Sequence, residues 1–261
     1  MSKSPLKWKL YVCALLSFVA KAQDPFEIHV YEYETLHRGQ FTFETHLNYV
    51  GAGTNAFDGP VAPFQDQFHM TFELTGGVTD WASLAFMQLN ARRPDQSLEY
   101  AGWRVLPHFY VPRAWHWPVD VGLVTEFSFQ KTLFEENSRR VEVRPILEKS
   151  FGKTQLDFNP VFERALHGPG TQAGWNFEPA ARFGYEAWER FTPSLEYYSE
   201  WGPLPDFFPW RDQVHQILPG GDLKIAKNVV WSFGIGLGLT SAGERVVYKS
   251  RIEIEFGRGV R

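Results

Sequence analysis

The chain has 261 residues, of which 21% are charged, 16% are aromatic and one, Cys13, is a cysteine. Four of the 26 lysines and arginines and none of the 30 acidic residues lie in residues 1–22, so the remaining residues carry 22 basic and 30 acidic side chains, a net charge of −8. This acidic balance argues against a nucleic-acid partner. A single cysteine excludes a disulfide framework within the chain and a cysteine-based metal site.

The first residues have the three parts of a secretory signal. Three lysines among the first nine residues form a basic start, an apolar run follows over 10–20, and small residues at 20 and 22 have the A-x-A spacing of a cleavage site. The apolar run is shorter than the about 20 residues of a membrane-spanning helix. A buried N-terminal helix is the alternative interpretation. We expect cleavage after Ala22 and export of the remaining chain.

After the signal, apolar and polar residues alternate with the period of a β-strand. In 229–239, every second position is a valine, tryptophan, phenylalanine, isoleucine or leucine, with Ser232 and three glycines among the residues between them. In 246–256, apolar residues alternate with Lys249, Arg251 and Glu253. No comparable helical periodicity is present.

About 12 such segments can be counted, and most are longer than the about 5–6 residues of a strand in a soluble sheet. Their length approaches the about 9–11 residues with which a tilted strand crosses hydrocarbon. Their approximate limits are 40–50, 66–78, 82–93, 98–110, 118–130, 139–149, 154–165, 175–187, 193–201, 214–225, 229–240 and 245–257.

The connections between these segments alternate in length, and aromatic residues cluster near the predicted strand ends. Short turns on one side, longer loops on the other and two aromatic girdles are typical of outer-membrane barrels. Two connections fit less well, since 111–117 is long for the turn side and 241–244 is short for the loop side. The tight turns lie at 79–80, 151–153, 189–192 and 226–228, and the longer loops at 51–65, 131–138, 166–174 and 202–213.

Alternation alone does not say which face points inward, and a secreted soluble barrel or sandwich is the main competitor. About 12 closed strands leave an interior wider than side chains readily fill, because about eight already give a filled core or a small cavity. We therefore predict an all-β protein with a closed antiparallel transmembrane β-barrel of about 12 strands over residues 40–261. A cleavable signal peptide at 1–22 and a segment at 23–39, either periplasmic or a plug of the lumen, precede the barrel.

Five prolines fall inside predicted strands. Proline lacks the N–H that a strand ladder uses and is normally found at sheet edges or bulges. A closed barrel has no edges, so we expect a β-bulge at each of these positions. The five are Pro107, Pro145, Pro160, Pro179 and Pro219.

The polar face of the predicted strands carries many charged residues of both signs. Such residues either line a water-filled path, where rings of charge select ions, or pair with one another in a largely closed barrel. Both interpretations are open at this point. The predicted lumen-lining charges are Arg104, Glu126, Arg140, Glu142, Arg144, Asp157, Glu163, Glu178, Arg182, Glu196, Lys249, Arg251 and Glu253.

Signals for enzymatic chemistry are weak. No G-x-S-x-G motif and no H-x-S arrangement is present. His46 and His69 fall on the polar face of neighbouring predicted strands and, with Glu44 and Glu73, could form a proton relay or a metal site. Ordinary hydrogen bonding among polar lumen residues explains the same pattern. We therefore predict no catalytic residues, no cofactor and no metal.

Three stretches resemble a group of uncharacterised bacterial outer-membrane proteins that is loosely grouped with outer-membrane transporters. The resemblance implies a barrel in the bacterial outer membrane and carries no catalytic motif and no substrate. The stretches are FEIHVYEYET at 26–35, followed by Gly39-Gln40-Phe41, Glu44, His46 and Asn48-Tyr49, then EENSRRVEVRPILEK at 135–149 and PSLEYYSEWGPL at 193–204.

The function that these observations favour is a porin-like channel or transporter for small solutes. The alternatives are a non-conducting structural or adhesive barrel and, less favoured, a lipid-modifying enzyme. The expected partners are outer-membrane lipid, the machinery that inserts barrels and a small-molecule solute.

Overall fold

The computed structural model describes residues 24–258. The predicted signal peptide at 1–22, with Cys13, lies outside the described residues. Within the described residues, no helix is long and apolar enough to cross a membrane. Three short 3-10 helices are present at Arg113–Trp115, Pro169–Gln172 and Trp210–Asp212.

Fifteen β-strands account for most of the described residues. The longest runs follow the sequence alternation, because a strand places successive side chains on opposite faces. In chain order, the strands are β1 (Gln40–Ala52), β2 (Phe68–Thr79), β3 (Ala82–Arg92), β4 (Glu99–Tyr110), β5 (Asp120–Gln130), β6 (Arg139–Phe151), β7 (Thr154–Asn159), β8 (Phe162–His167), β9 (Asn176–Phe177), β10 (Ala180–Tyr185), β11 (Phe191–Glu200), β12 (Gly202–Pro203), β13 (Val214–Ala226), β14 (Val229–Gly238) and β15 (Val246–Gly257).

These strands form one closed antiparallel sheet with twelve crossings. β7 and β8, β9 and β10, and β11 and β12 are successive parts of one crossing each, and every crossing pairs with the next along the chain. The first and last strands close the sheet, with Gln40 opposite Gly257 at one end and Ala52 opposite Val246 at the other. The predicted closed antiparallel barrel of about 12 strands is confirmed.

The two faces of the sheet differ sharply in polarity. Large apolar side chains point outward, and those of Phe86 and Ile235 are 50% and 45% exposed. Polar and charged side chains point inward, where Glu73 and Arg104 are each 2% exposed. An apolar exterior with a polar interior is the arrangement of a transmembrane barrel and the reverse of a soluble β-barrel.

Two of the strand prolines interrupt the ladder without the bulge expected there, and a one-residue register shift lies opposite Pro179, since Ala180 faces Tyr198 whereas Phe177 faces Gly202. Pro107 and Pro219 each lie at a two-residue gap in the pairing with one neighbouring strand, and the register is unchanged across the gap. Pro160 and Pro179 lie between β7 and β8 and between β9 and β10, and Pro145 lies opposite the first of these breaks. In an antiparallel strand the N–H and C=O of one residue point toward the same neighbouring strand, so a proline loses a hydrogen bond to only one of its two neighbouring strands.

The ends of the barrel differ in the length of their connections. Short turns at 80–81, 152–153 and 227–228 join strands at one end, and longer loops at 53–67, 131–138 and 204–213 join strands at the other. In outer-membrane barrels the short turns face the periplasm. We therefore refer to the first end as periplasmic and to the second as extracellular.

A pair of peptide tags tests this orientation. Gly59 and Gly152 lie in connections at opposite ends, and neither has another residue within 4 Å of the position that a Cβ would occupy. A tag inserted at Gly59 should be labelled by antibody on intact cells, whereas a tag at Gly152 should be labelled only after the outer membrane is opened. Labelling of Gly152 and protection of Gly59 would reverse the assignment.

The face assignment makes a separate prediction. Ile235 points outward from the middle part of β14, and arginine at the midplane of a membrane barrel costs about 2–4 kcal/mol. Ile235→Arg should therefore reduce the folded fraction, measured as the heat-modifiable band on a gel. The matched control Ile235→Leu should fold like the unmodified protein, and equal folding of both variants would contradict a lipid-facing Ile235.

The lumen and its N-terminal strap

Residues 24–38 run through the interior of the barrel, and we call this segment the strap. Near its start, the ring of Phe26 packs edge-on at 6.1 Å from that of Phe134 in the extracellular loop between β5 and β6. Near its end, His37 Nδ1 lies 3.2 Å from Asp80 Oδ1 in the periplasmic turn between β2 and β3. The strap therefore passes from the extracellular to the periplasmic end before the chain turns into β1.

Side chains of the barrel wall, not a strand ladder, hold the strap backbone. None of residues 24–38 belongs to a β-strand. The N–H of Tyr31 donates to Asn159 Oδ1 at 2.7 Å, and Asn159 Nδ2 donates to the carbonyl of Tyr31 at 3.0 Å. Asn48 Nδ2 donates to the carbonyl of Pro25, and the N–H of Tyr33 donates to Glu148 Oε2. These bonds satisfy buried backbone groups that would otherwise be costly to leave unpaired.

Apolar side chains of the strap pack against two different parts of the wall. Phe26 and Tyr31 join one buried cluster, and Ile28 and Val30 join another. Burial of such side chains stabilises the strap by about 1.5–3 kcal/mol each. The wall residues of the first cluster are Ala85, Met87, Leu89, Ala91, Ala101, Leu106, Tyr110, Val124 and Ile146, joined by Phe134 of the extracellular loop, and those of the second are Ala180, Tyr198, Leu218 and Val247.

Four wall arginines each contact an acid of the strap and an acid of the wall. A buried charge without a partner is strongly unfavourable, so both kinds of contact stabilise the lumen. Arg104 pairs with strap Asp24 and Glu27 and with wall Glu126; Arg140 with strap Asp24, loop Glu135 and wall Glu163; Arg144 with strap Glu27 and wall Glu142; and Arg182 with strap Glu32 and wall Asp157 and Asp222.

The carboxylate of Glu27 contacts two wall arginines and a tyrosine of the strap. Its side chain is 1% exposed, and its carboxylate accepts from Arg104 Nη1 at 3.0 Å and from Arg144 Nη1 at 3.4 Å. The hydroxyl of Tyr31 also donates to it, and the Arg144 guanidinium lies 4.3 Å above the Tyr31 ring. One strap acid thus joins two wall arginines and a strap aromatic.

All thirteen predicted lumen charges lie on the interior side of the wall, buried or half-buried. Beyond the four arginine groups, Lys249 Nζ donates to both oxygens of Glu196, at 2.7 and 2.8 Å. Arg251 contacts Glu253 at 3.2 Å. Glu178 has no ion pair among the described residues. The residues of the predicted lumen are therefore mostly paired.

Two cavities flank the strap. The extracellular one has a volume of about 440 Å³ and is lined by ten acidic side chains, including Glu178, but by only three arginines. The periplasmic one has a volume of about 300 Å³ and is lined by five acidic and four basic side chains. His29 of the strap lines both. The extracellular cavity is strongly acidic, and the periplasmic cavity is nearly balanced.

Two features of the lumen escaped the sequence analysis. A plug of the lumen was one of two alternatives predicted for 23–39, but the pairing of its acids with wall arginines was not predicted. The alternation of acidic with apolar or aromatic residues in 26–35 is the signal for a segment that contacts both polar and apolar surroundings. The interior face of β3 is apolar, with Met87 and Leu89 fully buried. The signal for this second feature is the weak alternation of 82–92, which places apolar residues on both faces.

The histidines of the predicted polar pair have different surroundings. His46 Nε2 lies 3.5 Å from both Glu44 Oε2 and Glu73 Oε2. His69 lies apart from this group, with its ring 4.6 Å from that of Phe26. The structure therefore brings together three of the four residues considered for a relay or metal site.

A serine–histidine contact exists at the extracellular rim. Ser138 Oγ lies 2.9 Å from His167 Nδ1. A hydrolytic serine also needs a third group that orients the histidine, and no carboxylate within residues 24–258 forms an ion pair with His167. The contact therefore lacks the acid of an Asp- or Glu-containing triad.

Comparison with known proteins agrees with the fold. The chain is similar in structure to the COG4313 outer membrane channel from Pseudomonas putida F1, with a TM-score of 0.57, 12% identity, and coverage of 88% of this chain and 100% of that chain. It is also similar to KdgM porin, with a TM-score of 0.52, 11% identity, and coverage of 82% and 99%. No protein-family model and no curated protein sequence matches the chain. At these identities, the likeness establishes a barrel fold shared with outer-membrane channels.

The contacts of Asn159 generate a prediction for the strap. Asn159→Ala removes both side-chain bonds to Tyr31 and leaves two buried backbone groups unpaired, each at about 1–3 kcal/mol. The Tyr31 amide should then exchange its hydrogen faster, measured by mass spectrometry of the folded barrel. Asn90→Ala is the matched control, because Asn90 donates to the Met70 carbonyl in β2 and not to the strap. Equal exchange of the Tyr31 amide in both variants would contradict the role of Asn159.

Proposed function

We propose that the protein is a channel of the bacterial outer membrane for small solutes, and that the strap is a plug of its lumen. The observation that carries this proposal is the pair of polar cavities on the two sides of the strap, inside a barrel with an apolar exterior. The strap is joined to the wall by side-chain contacts, so it can shift without breaking any bond between strands. A shifted strap would join the two cavities into one path.

The charge of the extracellular cavity supports a preference for cationic solutes. Acids outnumber arginines ten to three along its wall. Charges that line a pore act on the ions that pass, and a wall of one sign raises the local concentration of the opposite ion. Its volume is within the about 300–1,000 Å³ of small-molecule sites. The solute class that fits best is therefore a small organic or inorganic cation.

A non-conducting structural barrel is the second candidate. The two apolar clusters fix the strap on opposite sides of the lumen, and this packing favours a permanently closed interior. We further propose that the protein is not an enzyme, which is supported by the incomplete surroundings of Ser138 and His167. Outer-membrane lipid and the machinery that inserts barrels remain the expected partners.

Planar-bilayer recording of the unmodified protein beside a strap-deleted variant distinguishes the two candidates, because only a channel opens while the strap is present. Deletion of residues 24–36 should give a stable open channel with a conductance well above that of the unmodified protein, because the path is no longer occupied. Heat-modified gel mobility of the same preparation shows whether the barrel has folded. A folded, strap-deleted barrel that does not conduct would contradict the channel, and an unmodified barrel that never opens while the strap-deleted barrel conducts would favour the structural barrel.

The predicted cation preference has its own test. Glu136 lines the extracellular cavity and lacks an ion pair among the described residues, so Glu136→Gln removes a charge without leaving an arginine unpaired. The reversal potential under a salt gradient should move toward weaker cation selectivity in this variant. Asp206→Asn, which removes a charge from an exposed loop, should leave the reversal potential unchanged. Equal shifts in both variants would contradict a role for the cavity acids.

A further inference from the structure

Two glutamates face each other across the first two strands of the barrel. Glu44 of β1 lies directly opposite Glu73 of β2, and both side chains point into the lumen. Like charges in directly opposed positions of a sheet destabilise it, and the penalty is larger where water is excluded. Glu44 is 6% and Glu73 2% exposed; Arg251 pairs with Glu44, whereas Glu73 has no arginine or lysine partner among the described residues.

His46 places its ring nitrogen between these carboxylates. It lies two residues after Glu44 on the same face of β1 and is 1% exposed. Its Nε2 atom is 3.5 Å from one oxygen of each glutamate, yet it is buried without a hydrogen bond that has acceptable geometry. One ligand atom from each of the three residues lies within 4.8 Å of the others.

These separations match the ligand spacing of a tetrahedral metal site. Zinc binds histidine nitrogen and carboxylate oxygen at about 2.0–2.2 Å, so two of its tetrahedral ligands are about 3.3–3.6 Å apart. The two nitrogen–oxygen separations are of this size. A histidine and two carboxylates form a donor set for a divalent transition metal.

Neighbouring groups orient the ligands as outer partners do in metal sites. The Thr75 hydroxyl donates to Glu73 Oε1, which leaves Glu73 Oε2 facing His46. Arg251 Nη1 donates to Glu44 Oε2 at 2.9 Å and also pairs with Glu253. Arg251 and Glu253 balance each other, so a divalent ion would neutralise the two remaining carboxylates.

We propose that Glu44, His46 and Glu73 form a binding site for one divalent transition-metal ion of the zinc class on the inner wall of the barrel. The His29 ring of the strap lies nearby, with its centroid 6.4 Å from that of the His46 ring. The site rests on wall residues and is independent of whether the barrel conducts.

Metal titration of the folded, full-length mature barrel in detergent tests the site. After treatment with a chelator and dialysis, Co²⁺ should bind at one ion per barrel with the intense visible absorption of tetrahedral cobalt, and Zn²⁺ should displace it. His46→Gln and Glu73→Gln should each weaken Co²⁺ binding by more than about tenfold, since ligand loss exceeds the effect of losing an outer partner.

His69→Gln is the matched control. His69 is a buried lumen histidine on β2 whose two ring nitrogens also lack hydrogen bonds, but it lies outside the cluster. This variant should bind Co²⁺ like the unmodified barrel. Equal loss in His69→Gln and His46→Gln, or a folded unmodified barrel that takes up no Co²⁺, would overturn the proposal. If His46→Gln does not fold, Co²⁺ binding by Glu73→Gln and the cobalt spectrum of the unmodified barrel still test the proposal.

Discussion

A strand that faces lipid has no water to satisfy its backbone, so its ladder has to close on itself. The antiparallel pairing of β1 with β15, from Gln40 opposite Gly257 to Ala52 opposite Val246, meets this requirement. Closure then determines both surfaces, because alternate side chains must face either hydrocarbon or the enclosed interior. The exterior is accordingly apolar, and the polar half of every alternation is confined to a space in which each charge needs a partner.

Within that space, the strap and the wall compensate each other. Asp24, Glu27 and Glu32 of the strap meet Arg104, Arg140, Arg144 and Arg182 of the wall. The apolar strap residues meet the parts of the wall where the interior is not polar, above all the inner face of β3. The strap is thus complementary to the lumen in both charge and hydrophobicity, which explains why an extended segment without a ladder has a defined path.

Much of the fold was predictable because a strand period of two is a local property. The segments at 40–50, 82–93 and 229–240 agree with β1, β3 and β14 within about two residues. Arg104 and Lys249, which the alternation places on the polar face, are buried. Non-local features were not predictable in this way. The approach of Glu27 to Arg104 joins residues 77 positions apart, and no periodicity encodes it. The bulges predicted from the sequence at Pro107 and Pro219 are absent. A missing N–H affects the pairing with only one of the two neighbouring strands, so both prolines are accommodated without a change of register.

Each of the four arginines pairs with an acid of the strap and with an acid of the wall. This arrangement determines how release of the strap would affect the stability of the barrel. If the strap left the lumen, Arg104 would retain Glu126, Arg140 would retain Glu163, Arg144 would retain Glu142 and Arg182 would retain Asp157. No wall arginine would become an isolated buried charge, which is the situation that costs about 3–5 kcal/mol when a pair is broken. Water entering the vacated lumen would also hydrate these groups. The free energy of strap release is therefore dominated by its apolar contacts and backbone hydrogen bonds, and the barrel ladder contributes nothing to it. A segment held in this manner can move while the wall that surrounds it stays folded.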